Sequence, residues 1–201
     1  MNKSIIAAIT TVALVTSSPV LARADDPGQL LTSTISKGFE ILRDPMLQQP
    51  DQLANRRKKL WDLLGPIFGF EEIAKRALGY HWKEINAEQR REFTETFTEM
   101  LKDVYLSKSD DFQDGEIKFV RQIVKGDRSK VQTHFVNGEK KIIVDFSLAK
   151  IDGQWMIYDL TVEKSVSFLA NYRTQFNSIL SKGTFEDLLQ RLRDKNIELS
   201  N

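Results

Sequence analysis

Few side chains in this sequence stand at spacings that suit enzyme chemistry. Its two histidines, His81 and His134, lie far apart, and neither falls in a metal spacing such as H-E-x-x-H. His134 sits between Thr133 and Phe135 in a run that reads as a strand, where a lone histidine is more often structural than catalytic. His81 stands beside Trp82 just ahead of a helix start, a setting that suits a hydrogen-bonding role. No G-x-S-x-G elbow, G-x-G-x-x-G turn or Walker loop occurs. The absence of cysteine removes disulfides, thiolate metal sites and cysteine nucleophiles. Asp110-Asp111-Phe112-Gln113-Asp114-Gly115 begins like a calcium loop, but Phe112 fills a ligand position and Arg121 stands where the bidentate glutamate belongs. That run reads as a solvated turn. Asp145 and Asp159 lie among apolar strand residues, which suits a general base or, more simply, a carboxylate facing solvent or a neighbouring cation. The expectation is a protein with no catalytic residue, no metal site and no cofactor.

Composition narrows the class further. With 29 basic against 28 acidic residues in 201, the chain lacks the basic excess that phosphate neutralisation on nucleic acid requires. A hydrophobic fraction of 41% is too high for a disordered chain, and a charged fraction of 28% is too high for an oily membrane protein. The N-terminus reads as an export signal. Lys3 is followed by an apolar run from Ile5 to Val15 that is too short to span a bilayer, then by Ser17-Ser18-Pro19 and the small-x-small pattern Ala22-Arg23-Ala24. The expected division is a signal peptide over 1–24, cleaved after Ala24, and one domain over 25–201. Export without a second apolar run predicts a chain that does not span a membrane and works in the periplasm.

The elements follow from periodicity. Asp26-Pro27 opens a helix with Leu31, Ile35, Phe39 and Leu42 on one face, stopped by Asp44-Pro45. Pro50-Asp51 opens a second, with Leu53, Leu60, Leu64 and Ile67 on one face, that ends or kinks at Gly65-Pro66. A third runs from Phe70 to Leu78. Asn86 and Gln89 form a capping box ahead of the strongest helix, with Phe93, Phe97, Met100, Leu101, Val104 and Tyr105 at helical spacing. The period then falls to two. Four strands are joined at Gly126-Asp127, Asn137-Gly138 and Asp152-Gly153, a meander with strong hairpin turns. Two helices close the chain, one carrying Val166, Leu169, Tyr172 and Phe176, the other opened by a Thr184–Asp187 box.

This order predicts a single α+β domain in which a curved four-stranded antiparallel sheet is packed by N- and C-terminal helices. In the last strand Met156, Tyr158, Leu160 and Val162 are expected on one face, with Trp155 and Ile157 on the other. Apolar residues on both faces of the sheet ask for a second cover or a ligand, with one parity of each strand toward packed helices and the other toward a cavity. The many aromatic residues suit either a dense core or a cavity wall, and the pattern leaves both readings open. Arg56-Arg57-Lys58-Lys59 reads as a solvated helix face, with a docking patch for an acidic partner as the sharper alternative.

Specific stretches resemble a known family. Glu72-Ile73-Ala74-Lys75-Arg76-Ala77-Leu78-Gly79-Tyr80-His81-Trp82, then Glu88-Gln89-Arg90 with Phe93 and Phe97, is similar to the MlaC-type proteins of the toluene-tolerance family. So are Trp155-Met156-Ile157-Tyr158-Asp159-Leu160, Asn171-Tyr172-Arg173-Thr174-Gln175-Phe176 and Ile179-Leu180. One departure is visible: Val162-Glu163-Lys164-Ser165-Val166-Ser167-Phe168 is one residue longer than the family's Val-Glu-Gly-Val-Ser-Leu type of run and has no glycine. The resemblance implies a cone around an apolar cavity that holds the acyl chains of a diacyl phospholipid. It also implies traffic between an outer-membrane lipoprotein complex and an inner-membrane ABC transporter complex with an MCE-type substrate-binding protein. The expected wall is Phe97, Leu101 and Tyr105 on the long helix, Phe119, Phe135, Val144, Phe146, Trp155, Ile157, Tyr158 and Leu160 on the strands, and Val166, Leu169 and Tyr172 beyond them. The competing readings are a cavity enzyme on a cone like that of nuclear-transport-factor-like isomerases and dehydratases, using Asp145, Asp159 or His134, and a carrier of another lipid such as a hopanoid.

Overall fold

The computed structural model describes residues 26–165 and 167–195, so the segment expected to be an export signal, its expected cleavage position and Val166 lie outside the described residues. Helix α1 spans Pro27–Arg43; the Asp26 side chain accepts from the Gln29 amide, and Pro27 occupies the first turn, where no amide is needed. A short turn at Pro50–Gln52 leads into α2, Leu53–Leu64, which stops at Gly65-Pro66. Helix α3, Phe70–Leu78, ends at Gly79, whose φ of 60° a side chain would oppose. The expected capping box opens α4, Ala87–Ser107, with Asn86 and Gln89 exchanging side chain to backbone bonds of 3.0 Å. After the sheet come α5, Phe168–Leu180, and α6, Phe185–Arg193, the latter boxed by Thr184 and Asp187.

Strands β1 (Glu116–Lys125), β2 (Arg128–Asn137), β3 (Lys140–Ile151) and β4 (Gln154–Val162) form an antiparallel sheet in the order β1-β2-β3-β4. Each hairpin has a two-residue loop. Asn137 does not enter its loop: it pairs with Lys140, leaving Gly138-Glu139 at the turn with φ of 58° at the glycine. A single positive φ at the first loop position suits the twist of the flanking strands as well as the expected Asn-Gly turn does.

Two findings revise the expected faces of the sheet. First, the helices and the cavity share one face. Val131, Phe146, Leu148, Trp155 and Ile157 pack there against Leu31 of α1 and Ile67, while the other face carries Lys130, Gln132, His134 and Asp145. The second face is therefore largely polar, and Ile123 on it is 51% exposed. Second, β4 does not keep strict alternation. Ser147 pairs with Asp159 but Leu148 pairs with Ile157, so Tyr158 is an extra residue in a bulge. The bulge flips parity, placing Trp155 and Ile157 on the same face as Leu160 and Val162. The outer edge of β4 is closed by a parallel bridge from Phe68 to Ile157 and by the Gly69 amide, 2.9 Å from the Ile157 carbonyl.

The remaining helices make a core of their own. Phe93 and Phe97 of α4 meet Tyr172 and Phe176 of α5 in edge-to-face contacts with ring centroids 5.0–5.6 Å apart, and all four are at most 1% exposed.

Candidate functional site

A cavity of about 210 Å³ lies between β4 and the layer formed by α2, α3, α4 and α5. Its position follows from three local features. Gly65-Pro66 ends α2, turning the chain so that Trp61, Leu64 and Gly65 face one side of the space. The bridge of Phe68 to β4 holds Phe68 and Phe70 at another side, their rings stacked with centroids 5.8 Å apart. The bulge turns both Ile157 and Leu160 inward, and Leu101, Tyr105 and Leu106 of α4 with Phe168 of α5 complete the wall.

The wall is apolar almost throughout, and the polar side chains that border it are held by bonds and ring contacts of their own. Asp159 Oδ1 accepts from the Leu160 amide at 2.9 Å and from the Leu169 amide at 3.1 Å, so this carboxylate holds the first turn of α5 onto β4. The Tyr158 ring lies under the Arg76 guanidinium at 4.2 Å, with Arg128 at 5.5 Å. Arg76 is itself fixed by Glu72, 2.7 Å from its Nε. Lys102 lies over the Trp61 ring at 5.3 Å and pairs with Glu99 at 3.2 Å. Tyr105 and Tyr172 share a hydrogen bond, and burial is the main cause that pushes both phenols above their ordinary value. Both remain protonated at neutral pH.

The three candidate general bases are thus not assembled. Only Asp159 borders the cavity. Asp145 sits on the opposite face of the sheet, accepting from Gln132 at 2.8 Å with Lys130 at 3.8 Å, and His134 faces the same way, paired with Ile143. His81 Nδ1 lies 2.9 Å from Glu84, a surface contact near the end of α3. Among the described residues no cluster of three metal-ligating side chains occurs.

Of the residues assigned to the wall from sequence, the structure brings together Leu101, Tyr105, Ile157, Tyr158 and Leu160. The others among the described residues are placed elsewhere, each for a packing reason. Phe97, Leu169 and Tyr172 point from α4 and α5 into the helical core behind the cavity. Phe146, Trp155 and Val144 lie beneath α1 rather than beside the open space, so a charge at Phe146 would break the packing of the sheet against that helix. Phe119 is 49% exposed, its ring over Gly28, where a side-chain methyl in place of the glycine hydrogen would come within 2.7 Å of it. The Gly28 amide donates to Gln122 at 2.8 Å, so this close approach anchors α1 on β1. Phe135 similarly covers Gly115 and meets Phe39 and Phe112 at 6.2 and 5.6 Å. Missed from sequence were Trp61, Phe68, Phe70 and Lys102. The readable sign was the cluster Ile67-Phe68-Gly69-Phe70, apolar yet broken by Gly-Pro and Gly, which fits neither helix nor strand.

The basic run also divides. Arg56 is 7% exposed, so it belongs to the inner face of α2, while Arg57 lines a second, polar cleft between α2 and α4, and Lys58 pairs with Asp62 at 2.5 Å. The run is not one solvated face.

Comparison with known proteins agrees with the geometry. The model of the MlaC protein family matches residues 32–194. The intermembrane phospholipid transport system binding protein MlaC of Haemophilus influenzae is 25% identical over 191 residues, covering 92% of this chain and 85% of that protein. A phospholipid-binding protein from Ralstonia solanacearum, solved in complex with a phospholipid, superposes with a TM-score of 0.73 at 18% identity, over 85% of this chain and 97% of the other. That likeness gives the fold, and the family match extends over most of the sequence. The chain belongs to the MlaC protein family.

Proposed function

We propose that this protein is a periplasmic phospholipid carrier, which takes the acyl chains of a diacyl lipid into the cavity and passes them between an outer-membrane lipoprotein complex and an inner-membrane ABC transporter complex with an MCE-type protein. The observation that carries the reading is the cavity itself: an apolar wall built by β4 and four helices, with its one carboxylate bonded to backbone amides. Such a wall stabilises hydrocarbon and offers no free base for proton transfer. The names of the two relatives concern phospholipid, in the same sense. Among the described residues no helix is long and apolar enough to cross a membrane, as a shuttle requires.

The energetics state what the carrier must supply. Two acyl chains with roughly 30 methylenes cost on the order of 24 kcal/mol to expose to water, at about 0.8 kcal/mol per methylene. The apolar cavity between β4 and the helices offers such chains a surrounding free of water, and handover then needs a partner that opens these walls or offers an equivalent apolar site.

The test is organic extraction of protein purified from a bacterial periplasm, followed by mass spectrometry. Stoichiometric diacyl phospholipid is expected. A hopanoid or other lipid in its place would change the cargo, and protein that carries no lipid, and takes none up from vesicles, would overturn the reading.

A further inference from the structure

We propose that the cleft between α2 and α4 is a phosphate headgroup subsite, with Arg57 and Lys102 as its ligands; the proposal rests on the phospholipid reading and adds specificity to it. The cleft and the apolar cavity share Trp61, Lys102 and Leu106 in their walls, so only these side chains separate them. An amphiphile whose chains occupy the cavity and leave past Trp61 places its first polar atoms in the cleft. There the charged side chains are Arg57, Lys58, Lys102, Asp62 and Asp103.

The pairing within this set decides what the cleft attracts. Asp62 is taken by Lys58 at 2.5 Å and Asp103 by Lys195 at 2.8 Å. Lys102 holds Glu99, but that carboxylate is 63% exposed, and such surface pairs exchange readily for a better acceptor. Arg57 has neither an ion pair nor a hydrogen bond among the described residues, and its Nε is shut off from solvent with no acceptor. That Nε is as closed to an anion as to water, but the guanidinium's two amino groups, likewise without a partner, are left to meet one in the cleft. The planar fork of arginine matches two phosphate oxygens, while the lysine serves as a mobile point charge. Its stem already lies along the Trp61 ring, at the boundary that chain and headgroup would straddle.

The second polar cleft beside the cavity has the opposite character. It shares Phe68 and Phe70 with the cavity wall and carries Glu71, Glu72 and Lys75. Glu72 there is taken by Arg76 and Lys75, and Glu71, with no ion pair among the described residues, is left to repel a phosphate. The geometry thus orients the lipid, with chains toward β4 and phosphate between α2 and α4.

The experiment uses the full mature chain, stripped of lipid, and compares phosphatidylglycerol, diacylglycerol of the same chains, and glycerol 3-phosphate. Wild type is expected to bind phosphatidylglycerol about tenfold more tightly than diacylglycerol, and glycerol 3-phosphate not measurably. In Arg57→Gln that preference should fall to about twofold or less while diacylglycerol affinity stays within about twofold, which also reports that the variant is folded. Arg57→Lys, which keeps the charge without the fork, should retain part of the preference. A wild type that does not distinguish the two lipids, or an Arg57→Gln variant that keeps the full preference, overturns the subsite. Glycerol 3-phosphate binding as tightly as the phospholipid would also overturn it, in favour of a free-anion site. Failure of both lipids to bind would bring down the carrier reading itself, a separate result.

Discussion

The two halves of this molecule use the same residue types for opposite ends. In the helical half, α3, α4, α5 and α6 interlock Phe93, Phe97, Tyr172 and Phe176 with Leu188, Leu189 and Leu192, all at 1% exposure or less. In the cavity half, Trp61, Phe68, Phe70, Tyr158 and Phe168 leave a space of about 210 Å³ open between them. The difference lies in how the backbones are held. Helices of the first half bring their rings into direct contact, with centroids 5.0–5.6 Å apart. Walls of the second are set by a strand bulge, a single bridge between Phe68 and Ile157, and a chain segment stopped by Gly65-Pro66. These hold backbone apart from backbone, so large side chains line a volume instead of filling it.

The largest effect is expected from a core truncation. Phe97→Ala removes a ring that contacts Phe93, Tyr172 and Phe176, and should cost about 3–5 kcal/mol in urea unfolding. Whatever remains folded should still hold lipid. The contrasting change is Leu160→Asp on the wall. Leu160 is only partly buried, so the fold should lose far less, about 1–2 kcal/mol, while an unpaired carboxylate in the acyl path abolishes lipid retention. The pair of variants separates packing from binding: if Phe97→Ala empties the protein and Leu160→Asp stays loaded, the assignment of the two halves is reversed.

That contrast also explains which parts were legible in sequence. Helix bounds were readable because caps and stops are local: Asn86 with Gln89, Thr184 with Asp187 and Gly79 each act within one turn. The meander was readable because its three turns carry glycine. The cavity wall was read only in part, because the aromatic residues of α4 and α5 have the same sequence signature whether they face a partner helix or a void. The bulge at Tyr158 was invisible, since it arises from pairing with Ser147 and Leu148 and not from any residue in β4. Without it, strict alternation separates Ile157 from Leu160. The division of Arg56-Arg57-Lys58-Lys59 was legible in principle, because four consecutive residues on a helix, about 100° apart, spread over about 300° of its circumference and cannot share one face.

A smaller effect sharpens the border between the halves, where Tyr105 on the wall bonds Tyr172 in the core. Tyr172→Phe removes that bond and should cost about 0.5–1.5 kcal/mol at neutral pH. The same variant has a pH signature. Burial raises the Tyr172 phenol above its unfolded value of 10.0, so the protonated form is favoured in the folded state. Its contribution is fully present below pH 10 and is lost as pH rises above that value. Wild-type stability should therefore fall between pH 9 and 11 more steeply than that of Tyr172→Phe, as read from urea midpoints across that range. Parallel slopes would mean that the hydroxyl is not buried at this border.

The smallest expected effect concerns the connection from β4 into α5, which belongs to the cavity half. Glu163 and Lys164 both have positive φ, 52° and 56°, a conformation unfavourable for residues with a side chain. This is where the sequence lacks the glycine found in the family's shorter run. Glu163 has a reason to be there: its carboxylate accepts from the Ile143 amide at 2.6 Å, and its own amide donates to the Ile143 carbonyl at 2.9 Å. Among the described residues, no hydrogen bond or ion pair of the Lys164 side chain offsets its strain. Lys164→Gly should relieve it, and the added freedom of the unfolded chain should offset part of the gain. The net expectation is a stabilisation of about 0.5–1 kcal/mol, whereas Glu163→Gly, which also removes the bond to Ile143, should be neutral or destabilising. Because Asp159 ties this junction to the first turn of α5, lipid retention should be unchanged in Lys164→Gly. A loss of stability in that variant would show that the turn is held by the lysine, and the strain would then have to be placed elsewhere in the cavity half.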